Sequence, residues 1–177
     1  RNEVCFVQVL TASSYNKSMH NLYGKDKQKN GDQIEDSIRK EIESIQKLYG
    51  KNCVYLIDDD HLSFNDLIAL YSISDVGLFG TFWEGFNTGP YVFTASQTNK
   101  DIPGALIISE FMGCHRSLSG VFRINPWNYE EVANTIRTAL VMTSQERRVS
   151  HYRRYNHVMT YTFHNWAIGF VKDLKTA

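Results

Sequence analysis

The sequence lacks an excess of charge of either sign. Nineteen Lys and Arg residues balance nineteen Asp and Glu residues, so the formal net charge of the 177 residues is zero. Proteins that bind nucleic acid through its phosphates need a basic face, and attraction to an anionic membrane surface needs clustered cations. The charge balance therefore argues against a nucleic-acid partner and against a membrane partner.

Cysteine and long apolar runs are also scarce. The three cysteines, Cys5, Cys53 and Cys114, are far apart and form no CxxC motif. Such spacing indicates buried, reduced thiols, and hence a cytoplasmic protein. No apolar run approaches the roughly 20 residues that span a bilayer. Because the chain begins without an initiator Met, we expect it to be a fragment of a longer protein.

What is present is typical of a globular α/β protein. Hydrophobic residues make up 42% of the chain and charged residues 21%, and about 177 residues suffice to enclose a core. Short β-branched or aromatic runs alternate with helical patterns, which predicts a Rossmann-like parallel sheet flanked by helices and ending in helices. We expect a single domain over residues 1–177. The predicted strands are residues 4–10, 53–57, 76–79, 105–109 and 121–124.

The helical segments carry recognisable start and stop signals. Isoleucines at a spacing of three or four predict a helix that ends at Gly50, and polar residues 11–30 before it predict an exposed loop. Three helices have N-terminal caps, at Ser63, Asn128 and Thr143. Trp127 and Trp166 are expected to pack in the core or in an interface. Four arginines are expected to lie on a solvated helix face: Arg147, Arg148, Arg153 and Arg154.

The most informative segment is GTFWEGFNTGP, residues 80–90, which follows a predicted strand and opens a helix. Open parallel sheets bind ligands at this edge, and a helix N-terminus offers free N–H groups and a partial positive charge to a phosphate. Glycines at 80, 85 and 89 allow close approach of the backbone. Neither GxGxxG nor the P-loop pattern is present, so a βα turn that binds nothing stays open as an alternative.

Two other clusters favour a solvated loop over a ligand site. Asp58, Asp59 and Asp60 have an Asp-x-Asp spacing that suits hard cations, but adjacent carboxylates after a strand are more often hydrated. His115 and Arg116 lie on the expected ligand edge, where a minor anion-binding role competes with simple hydration. None of the six histidines has a partner at zinc-ligand spacing.

Five blocks, in order and at matching spacing, resemble the C-terminal half of trehalose-6-phosphate synthase. The match is good from about residue 53 to the end. A further block, SLSG at 117–120, is similar to plant-type members that are regarded as regulatory. The five blocks are DLIALYSISDV at 66–76, EGFN at 84–87, SEFMG at 109–113, NPWN at 125–128, and the closing segment at 164–174.

The resemblance implies the C-terminal domain of a GT-B glycosyltransferase. In this family the C-terminal half binds UDP-glucose, the N-terminal half binds glucose-6-phosphate, and transfer with retention gives trehalose-6-phosphate in trehalose biosynthesis. No metal or other cofactor is expected. The partners implied are UDP-glucose or UDP and the N-terminal acceptor domain, while the oligomeric state and a following phosphatase domain are left open.

The family's Asp-Gly-Met-Asn segment corresponds to Glu84, Gly85, Phe86 and Asn87. The resemblance implies that the Glu84 carboxylate contacts donor-sugar hydroxyls, and that the amides of Phe86, Asn87 and Thr88 face the diphosphate. No catalytic residue is identified within the chain.

Two departures from the family pattern support a second hypothesis. Val92 stands where members carry an acid that holds the ribose hydroxyls, and Trp83 replaces an Arg that precedes the family's first acid. The Arg and Lys that neutralise the diphosphate belong to a segment upstream of residue 1. We expect this chain alone to be inactive, since losing such charge stabilisation costs orders of magnitude in rate. The alternative is a degenerate, non-catalytic domain with a regulatory or scaffolding role.

Overall fold

The computed structural model describes residues 4–10, 26–58 and 62–176, which form two compact units, residues 1–66 and 67–177. The strands are β1 (Phe6–Leu10), β2 (Val54–Asp58), β3 (Val76–Phe79), β4 (Ala105–Ser109) and β5 (Phe122–Ile124). The helices are α1 (Asp26–Tyr49), α2 (Phe64–Ile73), α3 (Gly89–Ser96), α4 (Tyr129–Leu140), α5 (Ser144–Thr160) and α6 (Phe163–Thr176).

The first unit contains a two-stranded parallel sheet and the long helix α1. Strands β1 and β2 pair in parallel, with Phe6 opposite Val54. Helix α1 ends at Tyr49, and Gly50 follows with φ +99°, a left-handed conformation that suits glycine. The predicted loop over 11–30 is wrong at its end, because α1 already begins at Asp26; residues 11–25 lie outside the described part.

The second unit contains a three-stranded parallel sheet in the order β3-β4-β5. Every residue of the central strand β4 is buried, because its side chains alternate between two covered faces. Leu106 and Ile108 pack with Phe93 of α3 on one face. Ala105 and Ile107 pack with Ala139 of α4 on the other. The predicted arrangement of parallel strands flanked by helices is confirmed.

Strand and cap predictions agree closely with the structure. Strands β3 and β4 have the predicted bounds, and the other three begin one or two residues later than predicted. The three caps are confirmed. Ser63 Oγ accepts from the Asp66 amide at 3.2 Å, the Asn128 side chain accepts from the Glu131 amide, and Thr143 forms a complete capping box with Glu146. In the described segments, no helix has the length and apolarity required to cross a bilayer.

Several burial predictions are wrong. Cys114 is buried, but Cys5 is exposed and Cys53 only half-buried; all three are free thiols. Trp127 and Trp166, expected in the core or in an interface, are each 62% exposed, so neither lies in the core of this chain, and packing in an interface stays a prediction.

The four arginines of α5 also differ from expectation. Arg148 and Arg153 are exposed as predicted, but Arg147 and Arg154 are buried. They lie seven positions apart, so both fall on the inner face of the helix. There they donate to backbone carbonyls.

Candidate functional site

The loop between β3 and α3 is braced by its own polar side chains. Asn87 Nδ2 donates to Glu84 Oε2 at 2.8 Å, and Asn87 Oδ1 accepts from the Gly89 amide at 2.7 Å. One carboxamide therefore ties the carboxylate of Glu84 to the first turn of α3. Glu84 and Asn87 are half-buried, whereas Gly85, Phe86 and Thr88 are exposed. The structure thus brings together all five residues that the sequence singled out.

Three consecutive amides of this loop have no acceptor in the described part of the chain. They are the N–H groups of Phe86, Asn87 and Thr88. Thr88 is the N-cap of α3 but makes no side-chain capping bond, and α3 has no acidic residue in its first turn. Free amides beside a helix N-terminus attract an anion. The loop can therefore donate three hydrogen bonds to phosphate oxygens without a cation of its own.

Exposed aromatic rings surround the loop. The Phe82 and Trp127 rings lie 4.2 Å apart between centroids, and so connect the segments that follow β3 and β5. The Phe86 ring, 75% exposed, lies 5.9 Å from that of Tyr91. Trp83 is 92% exposed. The surface beside the amides is therefore apolar and accessible.

Val92 lies on the first turns of α3 and is half-buried. Its amide donates to Thr88 O at 2.9 Å and its carbonyl accepts from Ser96 Oγ at 2.8 Å. Both backbone groups are thus used, and the side chain offers no acceptor. Helix α3 carries no carboxylate at all.

The segment that follows β4 contacts the loop directly. Glu84 forms an isolated parallel bridge with Met112, and the Gly113 amide donates to Glu84 O at 3.1 Å. Burial, helped by the charge of Glu84, raises the pKa of the Cys114 thiol. Cys114 therefore stays a neutral thiol beside the site.

The other candidate residues, where the structure describes them, form no metal cluster. Asp58 ends β2, while Asp59 and Asp60 lie outside the described residues. In the described part, no three His, Cys, Asp or Glu side chains cluster closely enough to hold a metal. His115 Nδ1 lies 2.8 Å from Met112 O, and its carbonyl accepts from Arg123 Nε at 2.8 Å. His115 thus braces the turn after β4, and Arg116 is exposed.

Sequence reasoning missed the polar cluster on α5. Arg154 is fully buried; its Nη1 donates to Gly120 O at 2.7 Å and its Nη2 to Gly104 O at 2.9 Å. Burial lowers the pKa of Arg154 to about 10, so the guanidinium stays charged at neutral pH. Burial, together with the Arg154 charge, lowers the pKa of His151 to about 4. The spacing of Arg147, His151 and Arg154 at i, i+4 and i+7 was the available signal.

Comparison with known proteins gives consistent results. The family model described as glycosyltransferase family 20 matches residues 2–176. The UDP-forming alpha,alpha-trehalose-phosphate synthase of Yarrowia lipolytica is 40% identical over 114 residues, covering 64% of this chain and 24% of that protein. Synthase 1 of Arabidopsis thaliana is 44% identical over 117 residues, covering 66% of this chain and 12% of that protein. The chain thus spans a quarter or less of the length of these relatives.

A solved structure shares the fold at lower sequence identity. It is described as "Trehalose-6-phosphate from E. coli bound with UDP-2-fluoro glucose". It aligns with 99% of this chain and 45% of its own, with a TM-score of 0.79 and 22% identity. This agreement shows the shared fold, and the family match over nearly every residue shows that the chain belongs to glycosyltransferase family 20.

Proposed function

We propose that this chain is the donor-binding part of a trehalose-6-phosphate synthase-like glycosyltransferase. The observation that supports this proposal is the braced loop after β3, whose free amides at 86–88 lie at the N-terminus of α3. A nucleotide diphosphate is the ligand that suits this arrangement, because its oxygens accept from several N–H groups at once. The E. coli structure bound with UDP-2-fluoro glucose shares the fold and motivates UDP-glucose as the ligand.

In this proposal each residue of the loop has a defined role. The amides of Phe86, Asn87 and Thr88 hold the diphosphate. Glu84 accepts a hydrogen bond from a hydroxyl of the glucose through Oε1, since Asn87 donates to its Oε2. Gly85 leaves the approach open, because a Cβ there would meet no atom within 4 Å. The loop thus fixes the leaving group and the sugar in one orientation, which is how positioning contributes to transfer.

The remaining groups belong to the rest of the protein. Transfer breaks the bond between the anomeric carbon and the diphosphate oxygen, and forms a bond to the acceptor hydroxyl, whose proton is released. Cations that neutralise the departing diphosphate lower this barrier. We propose that these cations, and the site for glucose-6-phosphate, lie in the part of the parent protein outside these 177 residues. No metal cofactor is included.

A second candidate function is a non-catalytic, regulatory or scaffolding domain of the same family. Two observations favour it. Trp83 presents an exposed indole beside Glu84, where a cation would serve a diphosphate better. Val92 gives α3 no acceptor for ribose hydroxyls. Such a domain would keep the fold and lose the ligand.

Calorimetry with UDP and UDP-glucose tests the proposed function. Binding at millimolar concentration or tighter is expected, equally in EDTA and in Mg²⁺. Asn87→Ala releases both Glu84 and Gly89, so it should weaken binding about tenfold, or about 1.4 kcal/mol. Asn128→Ala is the matched control, because it removes a side-chain amide at the N-cap of α4 and should leave binding unchanged.

The absence of heat and of a thermal shift at high UDP concentration would decide for the second candidate. Equal weakening of UDP binding by Asn87→Ala and Asn128→Ala would instead overturn the assignment of the binding to the loop at 84–88. Gain of UDP affinity in Val92→Glu would support the loop as the ribose-proximal site, and no gain would count against that placement.

A further inference from the structure

Gly113 lies in close contact with Gly85, which belongs to the loop that carries the free amides. A Cβ built on Gly113 would lie 1.9 Å from Gly85 O, and that oxygen belongs to the backbone. Gly113 does not have a positive φ. The absence of a side chain there is therefore required by space rather than by backbone conformation.

Gly113 has little freedom to move away from this contact. Its neighbours Met112 and Cys114 are 1% and 4% exposed and belong to the core cluster that contains Leu106. Their burial holds the backbone of Gly113 in place. A methyl group at Gly113 would consequently have to displace the Gly85 peptide, which is on the exposed side of the contact.

The start of the same segment is also fixed. The Ser109 carbonyl accepts from the Met112 amide at 3.2 Å, and Ser109 Oγ accepts from the Phe111 amide at 3.1 Å. The Glu110 amide donates to Ile124 O at 2.9 Å, which attaches the segment to β5. Residues 109–113 thus form a rigid support beside the loop.

A second glycine fixes the other end of the loop. A Cβ on Gly89 would lie 2.5 Å from Phe79 Cε1 and 2.9 Å from Asn87 Oδ1. The Gly89 amide is the donor to that same Oδ1. The three amides therefore lie between Gly85, whose carbonyl oxygen leaves no room for a side chain on Gly113, and Gly89, which has no room for a side chain of its own.

We propose that Gly113 is a positioning residue for the amides of Phe86, Asn87 and Thr88. It acts through Gly85 and touches no ligand. The inference rests on the proposed function only for the identity of the ligand, the diphosphate of UDP or UDP-glucose. The mechanical coupling between Gly113 and the loop holds whether or not the site binds a nucleotide.

Gly113→Ala tests the coupling in two ways. The affinity for UDP, measured by calorimetry well below the melting temperature, should fall about 10- to 100-fold, as expected when a binding group is displaced by about 1 Å. Without ligand, NMR resonances and hydrogen exchange of the 86–88 amides should change while those of β4 stay the same.

Gly104→Ala is the matched control for loss of stability. Its Cβ would lie 2.7 Å from Ser74 O, again a backbone carbonyl, at the opposite end of β4. It should lower the melting temperature but keep the UDP affinity of the original chain. A merely structural role for Gly113 would instead make both variants lose affinity in proportion to stability.

The outcomes separate the two proposals. If the original chain binds no UDP, the proposed function fails, and the 86–88 amide resonances of Gly113→Ala still decide the coupling. If Gly113→Ala leaves those amides and the UDP affinity unchanged, Gly113 is not a positioning residue. If Gly104→Ala shifts the 86–88 amides equally, the effect is general destabilisation and the inference is overturned.

Discussion

The two ends of the β3-β4-β5 sheet differ in how completely their backbone polar groups are hydrogen-bonded within the protein. At the amino end, buried side chains bind the groups that precede all three strands. Arg147 Nη1 donates to Asp75 O at 2.7 Å before β3, and Arg154 donates to Gly104 O before β4 and to Gly120 O before β5. Gln97 Oε1 accepts from the Gly104 amide at 2.8 Å.

At the carboxyl end, side chains such as Asn87 and Ser109 also accept from backbone amides, but the amides at 86–88 stay free within the described residues. Buried polar groups without partners are costly, so a folded chain satisfies them where water is excluded. Exposed groups can bond to water until a ligand binds. The amino end of the sheet therefore supports stability, whereas the carboxyl end retains unused donors, as expected for the binding edge of a parallel sheet.

The largest expected effect is at the amino end. Arg154→Met removes the donors to Gly104 O, which is buried, and to Gly120 O, which is partly buried. A buried carbonyl left without a partner costs about 1–3 kcal/mol. We therefore expect a loss of about 2–5 kcal/mol in unfolding free energy, measured by urea denaturation, with Arg153→Met as an exposed control. An increase in stability would show instead that burying the guanidinium costs more than its two hydrogen bonds return.

Gln97 and Asn87 are a matched pair of carboxamides, one at each end of the sheet. Gln97→Met leaves the Gly104 amide without its acceptor, so it should cost about 1–3 kcal/mol of stability and leave UDP binding unchanged. Asn87→Ala, at the half-buried loop, should cost less than about 1 kcal/mol but weaken UDP binding. Denaturation and calorimetry on both proteins check this. Loss of stability without loss of binding in Asn87→Ala would break the distinction between the two ends.

The smallest effect is a pH dependence from His151. Its pKa is lowered from 6.5 to about 4 by burial and by the Arg154 charge, so the unfolded chain binds more protons than the folded chain between these values. Stability should therefore fall as pH decreases from about 6.5 to 4. His151 Nδ1 is buried without a partner in the described part of the chain, so we expect His151→Phe to fold normally. Melting curves of this variant should show a flatter pH profile, and an unchanged slope would assign the dependence to other groups.

The elements of the fold could be predicted because their causes are local. A continuous apolar run such as that of β4 is typical of a strand buried on both faces, and caps such as Thr143 with Glu146 depend on residues three positions apart. The candidate loop was also accessible from the sequence, since Glu84 and Asn87 are close in the chain and follow a strand.

Burial and close contacts between distant segments could not be predicted in this way. The carbonyl partners of Arg154 lie 34 and 50 residues away in the sequence, so its position on a charged helix gave no sign of them. The exposure of Trp127 and Trp166 likewise depends on what else packs nearby. A side chain's environment is set by segments that the chain brings together only on folding.

By itself, the sequence determined the parallel α/β architecture, the caps, and the loop at 84–88 as the segment to consider for an anion. It did so because propensity, periodicity and capping act over a few residues. The tertiary structure decided that Arg147 and Arg154 are buried, and that Gly113 lies against Gly85. These depend on contacts between segments remote in the chain, where close packing and the satisfaction of buried carbonyls choose the partners.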